Sequence, residues 1–563
     1  MKRNGLIFLL LAIVYGMNAQ IVNVPADHSI QAAIDAAENG DTILVQEGTY
    51  TENIRFNGKR ITLASLFIID GDTSHISRTI IDGSEPANQD TASVVLFNNG
   101  TDSTTVLCGF TITGGTGTLH INPLFGPRSV AGGIYFDSCG GVIEHNIIRN
   151  NNLNSLHICW GAGICAFPAT GNSVIIQNNQ ILYNKIVSSH QDASSGGGIK
   201  IGTNNDQVKT TCIVQNNNIS YNEVRNIHIA GNAIGGGMNY GMMLPTPPGE
   251  FIIRNNIFSY NKVIGGGKYD RGAGFVVIFL HTETEYYEDM RPNPVIYNNI
   301  VHNNFSDNYA AGIMTRITLV ENNTNYFTLW KPLLINNTVV DNYTSEGPAH
   351  PVGFHNEYSA PVLINNIFCN DLGSDENFEV GTWGDYFFEY NNLVQGFVGL
   401  PELNNIDCCP DFMPDGYELS DADTCAFGTG VDSLKIEDQW FYAPKQDFNG
   451  NPRPNPTDNL VDMGAYEYCS GHFDTDDTVD IKNSYVTNGV SIYPNPVVDF
   501  LCIQKHKAGL CAIEIHSLSG QLIYKSEMQG NTHTLDMSAF NKGLYFITIR
   551  SKDFVQTEKI IRL

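Results

Sequence analysis

Three stretches decide the fold: IIQNNQILYN at 175–184, IVQNNNISYN at 213–222 and IIRNNIFSYN at 252–261. Each places two asparagines, an apolar residue and a final asparagine at the same spacing after an apolar pair. The pattern extends outward to VIEHNIIRNN (142–151), VIYNNIVHNN (295–304), LINNTVVDN (334–342) and LINNIFCND (363–371). The second Asn of each pair falls at Asn146, Asn179, Asn217, Asn256, Asn299, Asn337 and Asn366. The mean period is about 37 residues, in the range of stacked-repeat architectures. A second element shares that period. It reads GGIYF at Gly132, GAGICAF at Gly161, GGGIKI at Gly196, GGGMNY at Gly235, GAGFVV at Gly272 and AAGIMT at Ala310. Each period thus holds two short alternating strands and no helical periodicity. This predicts an all-β parallel solenoid with coils stacked at roughly 4.8 Å.

The residue types suit that architecture. Inward Ile, Val and Leu stack into a continuous core, and the repeated Asn predicts a ladder of amides bonding from coil to coil. Glycine ahead of each strand permits positive φ or close backbone approach. Tyr183, Tyr221 and Tyr260 share one register and are expected to stack. Lys185, Glu223 and Lys262 share the next and predict a row of ion pairs.

Composition narrows the function classes. The chain has 563 residues, 16% charged residues, 54 Gly and a net charge of −27. A typical soluble domain is about 25% charged. The acidic balance argues against nucleic-acid binding, and the apolar and Gly content against disorder or coiled coil. Lys2 and Arg3 precede an apolar run from Leu6 to Tyr15 and small residues ending at Ala19, which reads as a secretory signal over 1–19. No later segment reads as membrane-spanning. Twelve Cys in an oxidising compartment predict disulfides, above all among Cys408, Cys409, Cys425 and Cys469, with connectivity open. Their spacing does not match a zinc site.

An open solenoid needs caps. SIQAAIDAAENG at 29–40 predicts an amphipathic helix capped by Ser29, with Ile30, Ala33, Ile34 and Ala37 on one face and Gly40 ending it. With DTILVQEGTYTENI following, this stretch resembles the start of secreted pectate-lyase-like proteins, which implies a right-handed three-faced parallel β-helix. That superfamily includes polysaccharide lyases and hydrolases as well as non-enzymatic surface proteins. QDFNGNPRPNPTDNLVDMGAYEY at 446–468 resembles the ending of exported β-helix proteins of the choice-of-anchor Q group. The matching positions are Asp447, Gly450, Arg453, Pro454, Asp462, Gly464, Ala465, Tyr466 and Glu467, with Arg453 read as a salt-bridged cap.

The β-helix domain is therefore set at 20–469, followed by a polar, acidic linker at 470–487. Its DTDDTVD run lacks the Gly and terminal Glu of an EF-hand. Residues 488–563 alternate as a small β-sandwich. Tyr493, Pro494, Asn495, Pro496, Gly520, Asp536, Gly543, Tyr545 and Lys559 resemble the type A C-terminal sorting domain of the Bacteroidetes type IX secretion system. That resemblance implies passage across the outer membrane by the type IX machinery, then release or surface attachment.

Function in a solenoid sits in loops leaving the same corner of successive coils. The loops at 202–211, 239–250, 280–294 and 317–332 predict a wall carrying Tyr240, Tyr286, Tyr287, Tyr326, Phe327 and Trp330, suited to stacking on sugars. The same wall carries Glu283, Glu285, Glu288, Asp289, Arg291 and Arg316. A lyase would use such carboxylates to hold calcium beside a Lys or Arg base, and a hydrolase would use two of them directly. A second loop series carries Lys268, Asp270 and Arg271, with Asp270–Arg271 pairing or solvation as the plain reading. The sequence thus predicts an exported β-helix protein that engages polysaccharide, as a lyase, a hydrolase or a non-catalytic adhesin.

Overall fold

The computed structural model describes residues 19–468 and 490–562, except 27, 123–125, 170, 204–209, 244–249, 266, 268–269, 282–292, 320–329, 346–350, 371–377, 384–387, 397–403, 415, 437, 457, 494–499, 506–510, 518–520, 529–531, 538–539, 541–542 and 552–554. The chain divides into two compact units, one of Asn23–Ala37 and Ile43–Val479, the other of Asp480–Leu563 grouped with Met1–Val22 and Glu38–Thr42.

The first unit is a right-handed parallel β-helix with three long sheets, here called A, B and C, of twelve, eleven and ten strands. Coils pair in register, so like residues stack. In sheet A Ile176 pairs with Val214 and Val214 with Ile253. In sheet B Ile181 pairs with Ile219 and Ile219 with Phe258. In sheet C Ile199 pairs with Met238 and Met238 with Phe275. All nine are buried in one continuous core. Two further six-stranded sheets lie along the chain between B and C.

The sequence predicts two strands per period, and the structure has more, because each Asn pair is itself a corner. The first Asn of the pair is left-handed, with φ of +56° at Asn178 and Asn216 and +53° at Asn255 and Asn298. Asparagine tolerates that conformation better than most residues. The apolar run therefore splits into one strand of sheet A and one of sheet B. The second Asn forms the expected ladder. Asn217 donates from its main-chain N and from Nδ2 to Asn256 Oδ1, both at 3.0 Å. Its Nδ2 also reaches the carbonyls of Ile176 at 2.8 Å and Gln215 at 2.9 Å. The same bonding runs from Asn146 to Asn405. A second ladder, at the far end of sheet B, runs from Asn151 to Asn370 and ends on the carboxylate of Glu379. Glycine is required ahead of the sheet C strands, where a Cβ on Gly198 would sit 2.5 Å from the carbonyl oxygen of Gly237.

At the corner after sheet B, Tyr183, Tyr221 and Tyr260 hold φ of +56°, +58° and +54°. The flanking coils put Asn150, Asn303 and Asp341 in the same conformation. A left-handed residue with a Cβ costs roughly 1–2 kcal/mol. The tyrosine rings stack as expected, with centroids 4.9 Å apart in both pairs. Each pair returns about 0.5–1.5 kcal/mol, which offsets part of the cost. In the neighbouring charged row, Glu223 takes Lys185 at 3.1 Å and Arg225 at 2.8 Å, while Lys262 is exposed.

The N-terminal cap is a shorter helix than the sequence implies. It spans Ile30–Ala36, and Ala37 is already extended, so Gly40 does not end it. Ser29 caps it through Oγ to Ala32 N at 3.2 Å, and Glu52 accepts from Ile30 N at 2.7 Å. Ile30 and Ile34 plug the core.

At the other end the chain returns along the A–B corner. The left-handed asparagines hold it: Asn298 Nδ2 donates to Gln446 O at 2.8 Å, Asn336 to Asp462 O at 3.0 Å, Asn365 to Val431 O at 2.7 Å and Asn391 to Thr429 O at 3.0 Å. Arg453 is fully buried, with Nε on Glu467 at 2.5 Å, Nη1 on Asn298 Oδ1 at 2.8 Å and Nη2 on Gly464 O at 3.1 Å. It is a structural clasp. Arg453→Ala is expected to cost about 3–5 kcal/mol, because it strands a buried carboxylate. Chemical denaturation of the full chain measures this, and a loss under about 1 kcal/mol would refute the clasp. Disulfides Cys369–Cys409 and Cys408–Cys425 tie this return segment to the last coils. Cys469 lies outside the described residues.

The second unit is an antiparallel sandwich. One sheet has Val490–Tyr493, Phe500–Lys505 and Thr532–Asp536, and the other has Cys511–Ser517, Leu522–Met528, Gly543–Arg550 and Val555–Arg562. Leu501, Ile503, Ile513, Ile515, Ile547 and Ile549 fill its core.

Candidate functional site

The outward side of sheet C gathers charged groups that lie far apart in sequence. Its core-facing residues alternate with an outward row in which Val276 pairs with Met314 and Met314 with His355. In the next outward row Ile278 pairs with Arg316 and Arg316 with Glu357. Arg271, from the turn before the Phe275–His281 strand, reaches Glu357 Oε1 at 2.5 Å. Arg316 Nη1 lies 3.1 Å from Glu357 Oε2, and His355 Nε2 lies 3.5 Å from Oε1. The Tyr309 ring stacks on His355 with centroids 5.7 Å apart. Burial pushes the Glu357 carboxyl up, but its bond to His355 and the guanidiniums of Arg271 and Arg316 outweigh that and hold it at about 2.

Asp270 does not pair with its neighbour Arg271 in this arrangement and is not solvated. It is buried, accepts from Ala233 N at 2.6 Å and from Asn308 Nδ2 at 3.3 Å, and so fastens adjacent coils. Burial raises its carboxyl to about 7.

A second group lies further toward the N terminus along the same face. Lys200 precedes Asn239 and Val276 in the outward row and donates to Asn239 Oδ1. The Arg128 guanidinium sits 3.8 Å and the Lys200 ammonium 5.5 Å from the Trp160 ring centroid. Burial lowers Lys200 to about 8 and Arg128 to about 10. Lys200 and Glu357 are four coils apart, roughly 19 Å at the inter-strand spacing. Lys200 and Arg316 thus lie on sheet C, Arg271 in the turn before one of its strands and Arg128 on an adjoining six-stranded sheet, and of the four Arg316 alone is more than one-tenth exposed.

Several sequence-predicted site residues fall elsewhere. Tyr240 is a core residue, because the strand runs through Met238–Met243 and turns its ring inward against Phe251 at 5.1 Å. Trp330 is also in the core, stacked on Phe279 at 5.2 Å. Neither presents a face to a sugar: the sheet C strand lengthens through Tyr240, and Trp330, just ahead of the Leu333–Ile335 strand of sheet A, packs into the core. Glu283, Glu285, Tyr286, Tyr287, Glu288, Asp289, Arg291, Tyr326 and Lys268 lie outside the described residues. Among the described residues no group of three His, Cys, Asp or Glu is placed to hold a metal ion. Of the predicted residues, Arg271 and Arg316 come together, on Glu357, and Asp270 does not join them. Sequence reasoning missed Lys200, His355 and Glu357.

The buried acids make stability depend on pH. Burial raises Glu379 and Glu467, like Asp270, to about 7. A raised carboxyl favours the protonated fold, so its contribution is complete below the ordinary carboxylate range and is lost as pH rises through about 7. Glu357 runs the other way, losing its contribution as pH falls toward about 2. The melting temperature of the full chain is expected to rise from about pH 8 to about pH 5 and to fall below about pH 4. Scanning calorimetry measures this, and a melting temperature that climbs steadily from pH 5 to pH 8 would contradict it.

In the C-terminal unit, Tyr493 ends its first strand opposite Cys502, Gly543 pairs with Arg562, and Lys559 pairs with Phe546. Pro494, Asn495, Pro496 and Gly520 lie outside the described residues. Residues 491–562 match the family model of the secretion system C-terminal sorting domain. The protein is therefore secreted or attached at the outer-membrane surface, and its sorting domain engages the type IX secretion machinery. No curated protein matches the chain. Among the described residues no helix is long and apolar enough to cross a membrane.

Proposed function

We propose that this exported β-helix, directed by the segment at 1–19 and by its sorting domain, engages polysaccharide along the outward face of sheet C. The observation that carries the reading is the Arg316–Glu357–Arg271 group: Glu357 is buried while Arg316 above it remains 29% exposed. A guanidinium held by a buried carboxylate is pre-oriented, and its planar fork suits sugar hydroxyls and carboxylates. The Arg128, Trp160 and Lys200 group extends the same face. Its cations are buried, so what they would offer an acidic polysaccharide is the field beneath the surface rather than direct contact.

The test is binding of the purified full chain to a panel of neutral and acidic polysaccharides, with and without calcium. Arg316→Ala is expected to weaken binding by at least about tenfold, as loss of a charged hydrogen bond does. Unchanged affinity would refute the site. A catalytic reading is favoured by one observation, that Lys200, in the outward row of sheet C beside Trp160, is lowered by burial to about 8, toward the range of a general base. Release of unsaturated products or reducing ends from the same panel would establish it.

A further inference from the structure

Among the described residues four large apolar side chains are 65% or more exposed: Ile121 at 72%, Leu156 at 78%, Ile227 at 65% and Ile229 at 87%. None belongs to the site on sheet C. All four fall along one end of a single six-stranded sheet, where turns enter or leave it. That sheet takes Gly117–Asn122, Gly126–Val130, Ile158–Trp160, Ser194–Ser195 and Ala233–Ile234 in that order.

The register aligns them. Ser189 N donates to Ser155 O and Ile227 N to Ser188 O, which sets Leu156, Ser189 and Ile227 in one row. Arg128 pairs with Ile158, so Pro127 lies beside His157, next to Leu156, and Ile121 pairs with Pro127. Bulky side chains therefore alternate with smaller ones: Ile121, Pro127, Leu156, Ser189, then Ile227 with Ile229 two residues on. At the inter-strand spacing the bulky ones recur about every 10 Å.

The row is also poor in charge. The turns at 156–157, 189–193 and 227–232 hold one of the chain's 58 acidic residues, Asp192, which lies 3.6 Å from His190 Nδ1. Single apolar side chains on a surface need no explanation, but a contiguous row does. At these exposures the row offers on the order of 500 Å² of apolar surface, the upper range for the largest patch on a monomer. Two such rows together reach about 1,000 Å², the lower bound of a specific protein interface.

We propose that this row pairs with the same row of a second copy of the chain, the two solenoid axes running antiparallel. A two-fold axis between Leu156 and Ser189 sets Leu156 of each copy over Ser189 of the other, and Ile227 over Pro127. Bulky side chains then enter gaps, the self-complementarity that an isologous interface requires. The same operation carries Asp192 of each copy toward His157 of the other, so the carboxylates face imidazoles and not each other.

The test is sedimentation velocity of the full chain over a range of concentrations. A reversible dimer is expected. Leu156→Asp and Ile227→Asp, both at exposed positions, are each expected to weaken it by at least about tenfold while leaving the melting temperature unchanged. Ser189→Leu separates pairing from general stickiness. It adds apolar surface but fills the gap, so it is expected to weaken the dimer as well. A monomer at every concentration would overturn the proposal, as would a dimer that Leu156→Asp leaves intact or that Ser189→Leu strengthens. A monomer that floats with phosphatidylcholine vesicles, and no longer does so after Leu156→Asp, would assign the row to a lipid surface and refute the pairing.

Discussion

Deleting residues 491–562 is expected to abolish appearance of the protein outside the cell while leaving the β-helix folded. The solenoid's core is a single run of stacked residues from Val24 to Val394, and the sorting module has its own core of Leu501, Ile503, Ile513 and their neighbours. Each cluster is built from its own unit's residues, so the truncation takes away the sorting module's core and leaves the solenoid's complete. The measurement is fractionation of a type IX-competent host, with protease added to intact cells. Full-length chain is expected in the medium or in the protease-sensitive surface fraction, and truncated chain inside the outer membrane. Truncated chain reaching the surface at an undiminished level would show that another signal carries export.

The second large effect concerns the ladder. Asn256→Ala is expected to destabilise the β-helix by about 3–5 kcal/mol. Asn256 Oδ1 receives both the main-chain N–H and the Nδ2 of Asn217, and its own Nδ2 donates to Val214 O at 2.8 Å and Asn299 Oδ1 at 3.0 Å. Alanine leaves a buried N–H without an acceptor and a buried carbonyl short of a donor, each costing about 1–3 kcal/mol, and opens a small void. The ladder is continuous, so the defect falls mid-stack, where no end can fray to relieve it. The comparison variant is Asn216→Ala, at the exposed first position of the neighbouring pair. It loses only the left-handed preference, about 1 kcal/mol. Denaturant midpoints of the β-helix transition measure both. Equal losses at the two positions would contradict the ladder's role.

The solenoid was legible because its information is periodic. Asn179, Asn217, Asn256 and Asn299 recur at the coil length, and one copy explains the others. The left-handed role of the first Asn was less legible, because both residues of a pair are the same type and only backbone geometry separates corner from ladder. The site on sheet C has no period. Glu357 sits in PVGFHNE, a strand buried at all seven residues, so no alternation marks which side chains face outward. Its partner Arg271 lies 86 residues earlier. Tyr240 and Trp330 misled for the converse reason: an aromatic near Gly241 or Pro332 reads as loop, yet the strand continues through Tyr240, and Trp330, ahead of the Leu333–Ile335 strand, packs inward.

The central claim is that the outward face of sheet C holds the polysaccharide, and hydroxyl-radical footprinting of the full chain tests it most directly. The ligand is the best-binding acidic polysaccharide of the panel, compared with free protein. Trp160, Ile278 and Arg316, partly exposed along that face, are expected to lose reactivity together on binding. Protection confined to other surfaces, with these three unchanged, would contradict the account.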